Sequence, residues 1–287
     1  MELSAAPLKA KWDYLSHCPA FRHSPWSVAF RLLAWRMRCM LRASTIGRIP
    51  QWKIQVFLPA QWRGIAKLIF SFRENYEPEL GFLQVVLEPG KVVVDVGANF
   101  GIYSLAAARL VGDSGTVLAF EPAAESFGIL EQNVHLNRVG NIRPFRMGLS
   151  DRDGKARLYH HADPGRNSLG GDGNPNATSE EITTLMLDSL LEREGIGRVD
   201  LLKIDVEGAE ELVLRGAMAV LNRTRPIVIF ELNHEAANRL GLSGSGAWDT
   251  LDSLGYHFFA THNDASLREL SSPPPGGNII ALPELQE

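Results

Sequence analysis

Cysteine is nearly absent from the 287 residues: Cys18 and Cys39 are the only two, without CxxC spacing or the density of a disulfide scaffold. That scarcity excludes a disulfide-stapled fold and makes a reducing cytoplasm the expected compartment. No run of about 18 apolar residues occurs, and the first residues, MELSAAPLKAKWDYLSHC, lack an uninterrupted apolar stretch. Neither secretion nor a membrane span is therefore expected. Net charge is small as well, −4 with 22% charged residues, which argues against a nucleic-acid binder and against a disordered acidic tail. What is plentiful is apolar material: 45% hydrophobic content supports a sizeable core, as one large domain or a domain with an extension.

The sharpest local shortage is of acids near the N-terminus. Residues 1–73 hold twelve Lys/Arg against Glu2 and Asp13, a net +10, which leaves −14 for the remainder. A basic leader of this kind can dock on the acidic remainder, meet an acidic partner or lie on an anionic membrane; docking demands least. Within it, residues 25–43 place Val28, Leu32, Trp35 and Cys39 at helical spacing, with Arg31, Arg38 and Arg42 largely elsewhere around the wheel. This amphipathic helix is expected to pack on its own domain, the alternative being peripheral membrane contact with Trp and Arg at the interface. Pro50 breaks the pattern, and residues 64–90 read as a helical lead-in ended by Pro89-Gly90. The expected division is a basic helical extension over 1–74 and one domain over 75–287.

From residue 91 onward, apolar strands alternate with helical segments, the sign of a parallel sheet covered on both faces. Strands are expected at 91–96, 116–120, 142–149, 199–204, 226–230, 256–260 and 278–282, and helices at 102–111, 123–138, 209–221 and 248–254. The fold class is α/β: a doubly wound, mostly parallel, seven-stranded Rossmann-like sheet with an N-terminal helical extension. Residues 156–160 read as an extra short strand. The Gly/Asn/Asp-rich stretch HADPGRNSLGGDGNPNATS is a long loop, either a lid or binding segment or a plain surface loop.

The first strand runs into VVVDVGANFG, an acid at a buried strand end followed by Gly97, Asn99 and Gly101 in the turn that opens a helix. Glycines there let the backbone pass close to a ligand. The order D-V-G-A-N-F-G lacks the third glycine of the dinucleotide turn G-x-G-x-x-G, which argues against an NAD-dependent oxidoreductase. An acid at Asp95 instead suits a cofactor with a positive ammonium group, reached directly or through water, as in S-adenosylmethionine. The second strand ends at Glu121, 26 positions later, where a carboxylate can accept hydrogen bonds from both hydroxyls of a ribose.

DVGANFG, FEP, GLSDRDG and LLKIDVEGAEELVLRGA together resemble the FkbM family of methyltransferases, in the family's order and spacing from about residue 76 to 282. LLKIDVEGAE is the most specific of these blocks. The resemblance implies an S-adenosylmethionine-dependent O-methyltransferase acting on a hydroxyl of a sugar, glycan or natural product. It implies that Asp95, Gly97, Asn99 and Gly101 face the methionine end of the cofactor, Glu121 its ribose, and Ser150 and Asp151 its adenine. It does not extend to residues 1 to about 70.

A hydroxyl acceptor must lose a proton, and acids recur at the later strand ends: Asp205 ends the fourth strand and Glu231 the fifth, with Asn233 and His234 just beyond. Two mechanisms fit. His234 or a carboxylate acts as general base, with Asp205 the first choice, or Asp205, Glu231 and Asn233 hold a Mg²⁺-like ion that acidifies the hydroxyl. The metal-free base is preferred, since the ligand set has no spacing signature. Lys203 and Glu207 are expected to pair across the strand end, and Glu210 to be a solvated helix charge. A methyltransferase-like binding module without catalysis is the remaining rival. Nothing within the α/β domain suggests a nucleic-acid partner.

Overall fold

A computed structural model describes residues 21, 24–73, 79–161, 163–171, 177–261 and 266–284. Cys18, the expected boundary at 74/75 and residues 172–176 of the long loop lie outside them. The chain divides into two compact units, Met1–Pro78 and Glu79–Glu287. Among the described residues no helix is long and apolar enough to cross a membrane.

In the first unit α1 (Pro25–Met40) starts with Pro in its first turn, where the missing N–H costs nothing. It buries Val28, Trp35 and Cys39. Trp35 stacks obliquely on Phe70 with ring centroids 5.2 Å apart, and its indole N–H donates to Gln61 O at 2.9 Å. Burial pushes the Cys39 thiol up from its ordinary pKa, which makes it an unreactive core residue. A hairpin that the sequence reading missed follows, β1 (Thr45–Ile49) paired antiparallel with β2 (Ile54–Leu58). Helix α2 is Ile65–Phe72. The expected single helical lead-in is thus two helices, α2 and α3 (Glu79–Val86) of the second unit.

The second unit begins the α/β alternation with β3 (Val92–Val96), α4 (Ile102–Val111), β4 (Thr116–Phe120), α5 (Ala124–Asn137) and β5 (Ile142–Phe145). Valine-rich β3 and β4 are buried on both faces, as central parallel strands must be. The third expected strand then divides. It stops at Phe145, and β6 (Gly148–Leu149) leaves for a separate three-stranded sheet with β7 (Gly154–Tyr159) and β8 (Ser179–Leu185), in the order β6-β8-β7. Strand β8, SEEITTL, went unrecognised because its acids mask the alternation of Ile182 and Thr184, which face inward.

After α6 (Leu187–Arg193) come β9 (Leu201–Ile204), α7 (Glu210–Arg215), α8 (Met218–Arg223) and β10 (Ile227–Leu232). The expected helix over 209–221 is two helices broken at Gly216, where a Cβ would lie 2.0 Å from Ser150 O; the chain bends there to let the two backbones pass. Helices α9 (His234–Arg239) and α10 (Gly246–Ser253) lead to β11 (Tyr256–Thr261), β12 (Leu267–Leu270) and β13 (Gly277–Pro283). The main sheet has eight strands, not seven, in the order β12-β11-β13-β10-β9-β3-β4-β5. The additional strand is β12, LREL, an edge strand too polar to signal itself. Strands β10, β9, β3, β4 and β5 are mutually parallel, and β13, β11 and β12 add antiparallel pairs at one side. The chain runs outward from β3 through β4 to β5, then resumes on the other side of β3 with β9 and β10. This reversal makes the sheet doubly wound.

Candidate active site

The reversal lies between β3 and β9, and open parallel sheets leave a crevice at the carboxyl ends of such a pair. Their register sets Val96 beside Ile204, and Asp205 N donates to Val96 O at 3.0 Å. A cleft opens here, at the strand ends where such sheets bind ligands. Gly97 and Asn99 after β3, Glu121 after β4, and Asp205 and Glu207 after β9 supply its polar wall; Phe120, Met147, Leu149, Leu158 and Ile182 are among its apolar residues.

Gly97 has φ +76°, and a Cβ on it would meet Asp205 O at 1.8 Å. Its first duty is therefore to let two strand ends meet, in addition to any close approach by a ligand. Asn99, at φ +50°, keeps the turn left-handed, and Gly101 caps α4 away from the cleft, with Leu130 filling the place of its side chain.

Asp95 is not on the cleft wall. It is buried beneath the turn, accepts from Ser104 Oγ at 2.5 Å and pairs with Lys203 Nζ at 3.5 Å. Lys203 also reaches Asp205 at 3.3 Å and donates to Gly97 O at 3.2 Å, so it ties the two turns together instead of pairing with Glu207. The cation that stands beside Asp95 here is the protein's own Lys203.

Glu121 does border the cleft. Its two carboxylate oxygens accept from Asn99 N and Ala123 N, both at 2.9 Å, and each oxygen retains a lone pair for a further donor. Burial pushes its pKa up to about 7 against those backbone bonds. Ser150 and Asp151 do not line the cleft. Ser150 N is bound to Leu185 O and its hydroxyl to Asp151, while Met147, Gly148 and Leu149, just before them, form the wall.

Asp205, Glu207 and Glu231 bring a carboxylate oxygen each within 4.8 Å of one another. The sequence reading paired Asp205 and Glu231 with Asn233, but that amide is occupied. Its oxygen caps α9 by accepting from Ala236 N, and its nitrogen donates to Glu207 Oε2 at 3.2 Å. His234 is turned elsewhere, with Nε2 2.9 Å from Pro274 O, and is not on the cleft wall.

Glu207, expected only as a partner of Lys203, stands on the cleft wall. It has φ +53°, a conformation rare for a residue with a bulky side chain, and burial, reinforced by the Asp205 charge, pushes its pKa up to about 7. Position within LLKIDVEGAE was its only signal; neither the strained backbone nor the neighbouring charge is visible in one dimension. The long loop joins the site through Gly165, Asn167 and Leu169 on the wall and through Ser168 Oγ, which donates to Glu207 O at 2.9 Å.

Glu210 is buried, contrary to expectation, and its Oε1 accepts from Val206 N and Gly208 N, shaping the loop that carries Asp205 and Glu207. Desolvation pushes its pKa from 4.5 to about 8. Between these values the native state holds a proton that the unfolded chain has released. This contribution to stability is full below pH 4.5 and lost as pH rises through 8, at up to about 1.4 kcal/mol per pH unit. Glu210→Gln keeps an acceptor and removes the titration, so its Tm relative to wild type should rise between pH 5 and pH 8.5. A pH-independent difference in thermal melts would contradict the assignment.

The Methyltransferase FkbM domain family matches residues 95–258. Among curated proteins, the chain is similar to Methyltransferase 1 of Beauveria bassiana, 34% identical over 143 residues that cover 43% of this chain and 57% of that protein. It is 35% identical over 161 residues to 31-O-demethyl-FK506 methyltransferase FkbM of Streptomyces tacrolimicus, covering 46% of this chain and 61% of the relative. Hexuronic acid methyltransferase AglP of Haloferax volcanii is 29% identical over 144 residues, 50% of this chain and 56% of that protein. The matches thus span little more than half the length of these relatives. With a family match over more than half of the chain, centred on the unit that holds the cleft, the protein belongs to the FkbM methyltransferase domain family.

Proposed function

We propose that this protein transfers a methyl group from S-adenosylmethionine to a hydroxyl of a sugar, glycan or natural product. The observation that carries the reading is the junction of two kinds of wall in one cleft: a nucleoside-type half built on Glu121 and apolar side chains, and an acidic half built on Asp205 and Glu207. The first half fits the cofactor. Glu121 has acceptor capacity left for ribose hydroxyls, and Phe120, Met147 and Leu149 offer an apolar bed for a flat base. When bound, S-adenosylmethionine supplies a methyl group on a positively charged sulfur.

The chain's own residues would do the rest. Asp205 and Glu207 hold the acceptor hydroxyl and take its proton, and the raised pKa of Glu207 suits a base working near neutrality. Glu210 and Lys203 hold these two carboxylates in place. The relatives' names support an oxygen acceptor in one case, a 31-O-demethyl compound, and a sugar acid in another. The closeness of Asp205, Glu207 and Glu231 supports a second reading, in which the three hold a divalent cation that acidifies the hydroxyl.

An acceptor screen of sugars, glycans and hydroxylated metabolites with isotope-labelled S-adenosylmethionine tests the reaction. Binding is tested separately. Glu121→Ala should weaken the affinity for S-adenosylmethionine and its demethylated product by about 1.5 to 3 kcal/mol, the loss of hydrogen bonds to a charged group. Unchanged affinity by calorimetry would remove Glu121 from the site.

A further inference from the structure

Helix α1 is apolar on two sides. One side holds the buried Val28, Trp35 and Cys39; the other carries Trp26, Phe30, Leu33, Met37 and Met40 at successive spacings of four and three residues, all exposed. Trp26 is 86% exposed and Phe30 72%. At 3.6 residues per turn these side chains form one stripe along the helix, about 24 Å long for its 16 residues. Ile46 and Trp62 are exposed too, so the first unit holds all but one of the large exposed apolar side chains found among the described residues. Such a contiguous patch marks an interaction surface, whereas scattered exposed apolar residues do not.

Charge identifies the occupant. Residues 24–73 contain nine Lys/Arg and no Asp or Glu. Arg36, Arg42, Arg48, Lys53 and Arg73 are among those exposed. A four-three spacing is also the seam of a helix pair, but a second copy would bring the same nine cations, with no carboxylate in this segment to flank the seam. An anionic bilayer supplies the missing negative charge, and its interface accepts Trp, Phe, Leu and Met. We propose that the apolar stripe of α1 lies in the headgroup region of an anionic lipid membrane, with the surrounding arginines and lysines on its phosphates and carboxylates. Each cation near such a surface adds roughly fivefold to binding, and the apolar side chains supply the part that salt does not remove.

The test is co-sedimentation of the full chain with vesicles of phosphatidylcholine containing about 30% phosphatidylserine as the anionic lipid, against vesicles of pure phosphatidylcholine. Binding is expected on the anionic vesicles, at least about tenfold weaker on the neutral ones and weakened by raising salt from about 0.1 to 0.5 M. Trp26→Asp with Phe30→Asp should lower partitioning by about tenfold or more, since both side chains leave the apolar phase. Both are exposed, so the double variant should keep the wild-type Tm and affinity for S-adenosylmethionine. No sedimentation with anionic vesicles, or equal sedimentation of the double variant, overturns the proposal. So does a lipid-free dimer, seen by sedimentation velocity and abolished by the double variant, which would make a second copy the occupant.

Discussion

Asp205→Asn is expected to lower turnover by about 10²-fold or more while leaving the affinity for S-adenosylmethionine nearly unchanged. Asparagine keeps the shape of the side chain and can still accept from Lys203, but it cannot take a proton. The substitution should also act on Glu207, whose pKa the Asp205 charge helps to hold at about 7. Glu207 serves as a base only when ionised, so wild-type kcat/KM should rise with pH through about 7. Without the neighbouring charge Glu207 ionises more readily, and the residual activity of the variant should rise at lower pH than that of wild type. Chelation separates the two mechanisms: only the metal-assisted one loses wild-type turnover with chelator and regains it with Mg²⁺. Full turnover by Asp205→Asn on an authentic acceptor would leave Glu207 or Glu231 as the leading base.

Lys203→Met is expected to cost about 3 to 5 kcal/mol of stability, the range for removing one partner of a buried ion pair. Asp95 is 1% exposed and Lys203 8%, so neither charge can turn to water. Methionine fills much of the volume but leaves Asp95 with the Ser104 hydroxyl and without its counter-ion. The bonds from Lys203 to Gly97 O and to Asp205 disappear together, loosening the junction of the β3 and β9 turns, so cofactor affinity should fall as well. Urea denaturation should show a lower midpoint at an unchanged slope. Lys203→Met with Asp95→Asn, which removes both charges, should recover part of the loss. A midpoint equal to wild type in the single variant would show that the buried pair contributes nothing.

The parallel core was legible in one dimension because its physics is local. Fully buried strands such as VVVDV and LLKI must be continuously apolar, and a turn with Gly97, Asn99 and Gly101 needs residues that tolerate positive φ. The family blocks marked the same stretches. Strands β8 and β12 stayed hidden because polar residues on half-exposed or edge strands leave no strong alternation, and the hairpin of the first unit because Pro50 interrupts it. Roles within the site were decided by the folded structure, since they depend on which groups meet, from three residues apart at Asn233 and Ala236 to 106 apart at Lys203 and Gly97. Asp95 at the end of β3 is neutralised by Lys203 of β9, while Asn233 is consumed by capping α9 and His234 by Pro274. Glu207 gains its raised pKa from burial beside Asp205, and Glu210 from burial beneath the loop they share. Sequence by itself determined the class of fold, the central parallel strands and the basic character of the leader, because periodicity and composition are written along the chain. Which carboxylate faces the cleft, which is buried under it and which apolar face of α1 remains uncovered are matters of distance and solvent, and only the folded chain decides them.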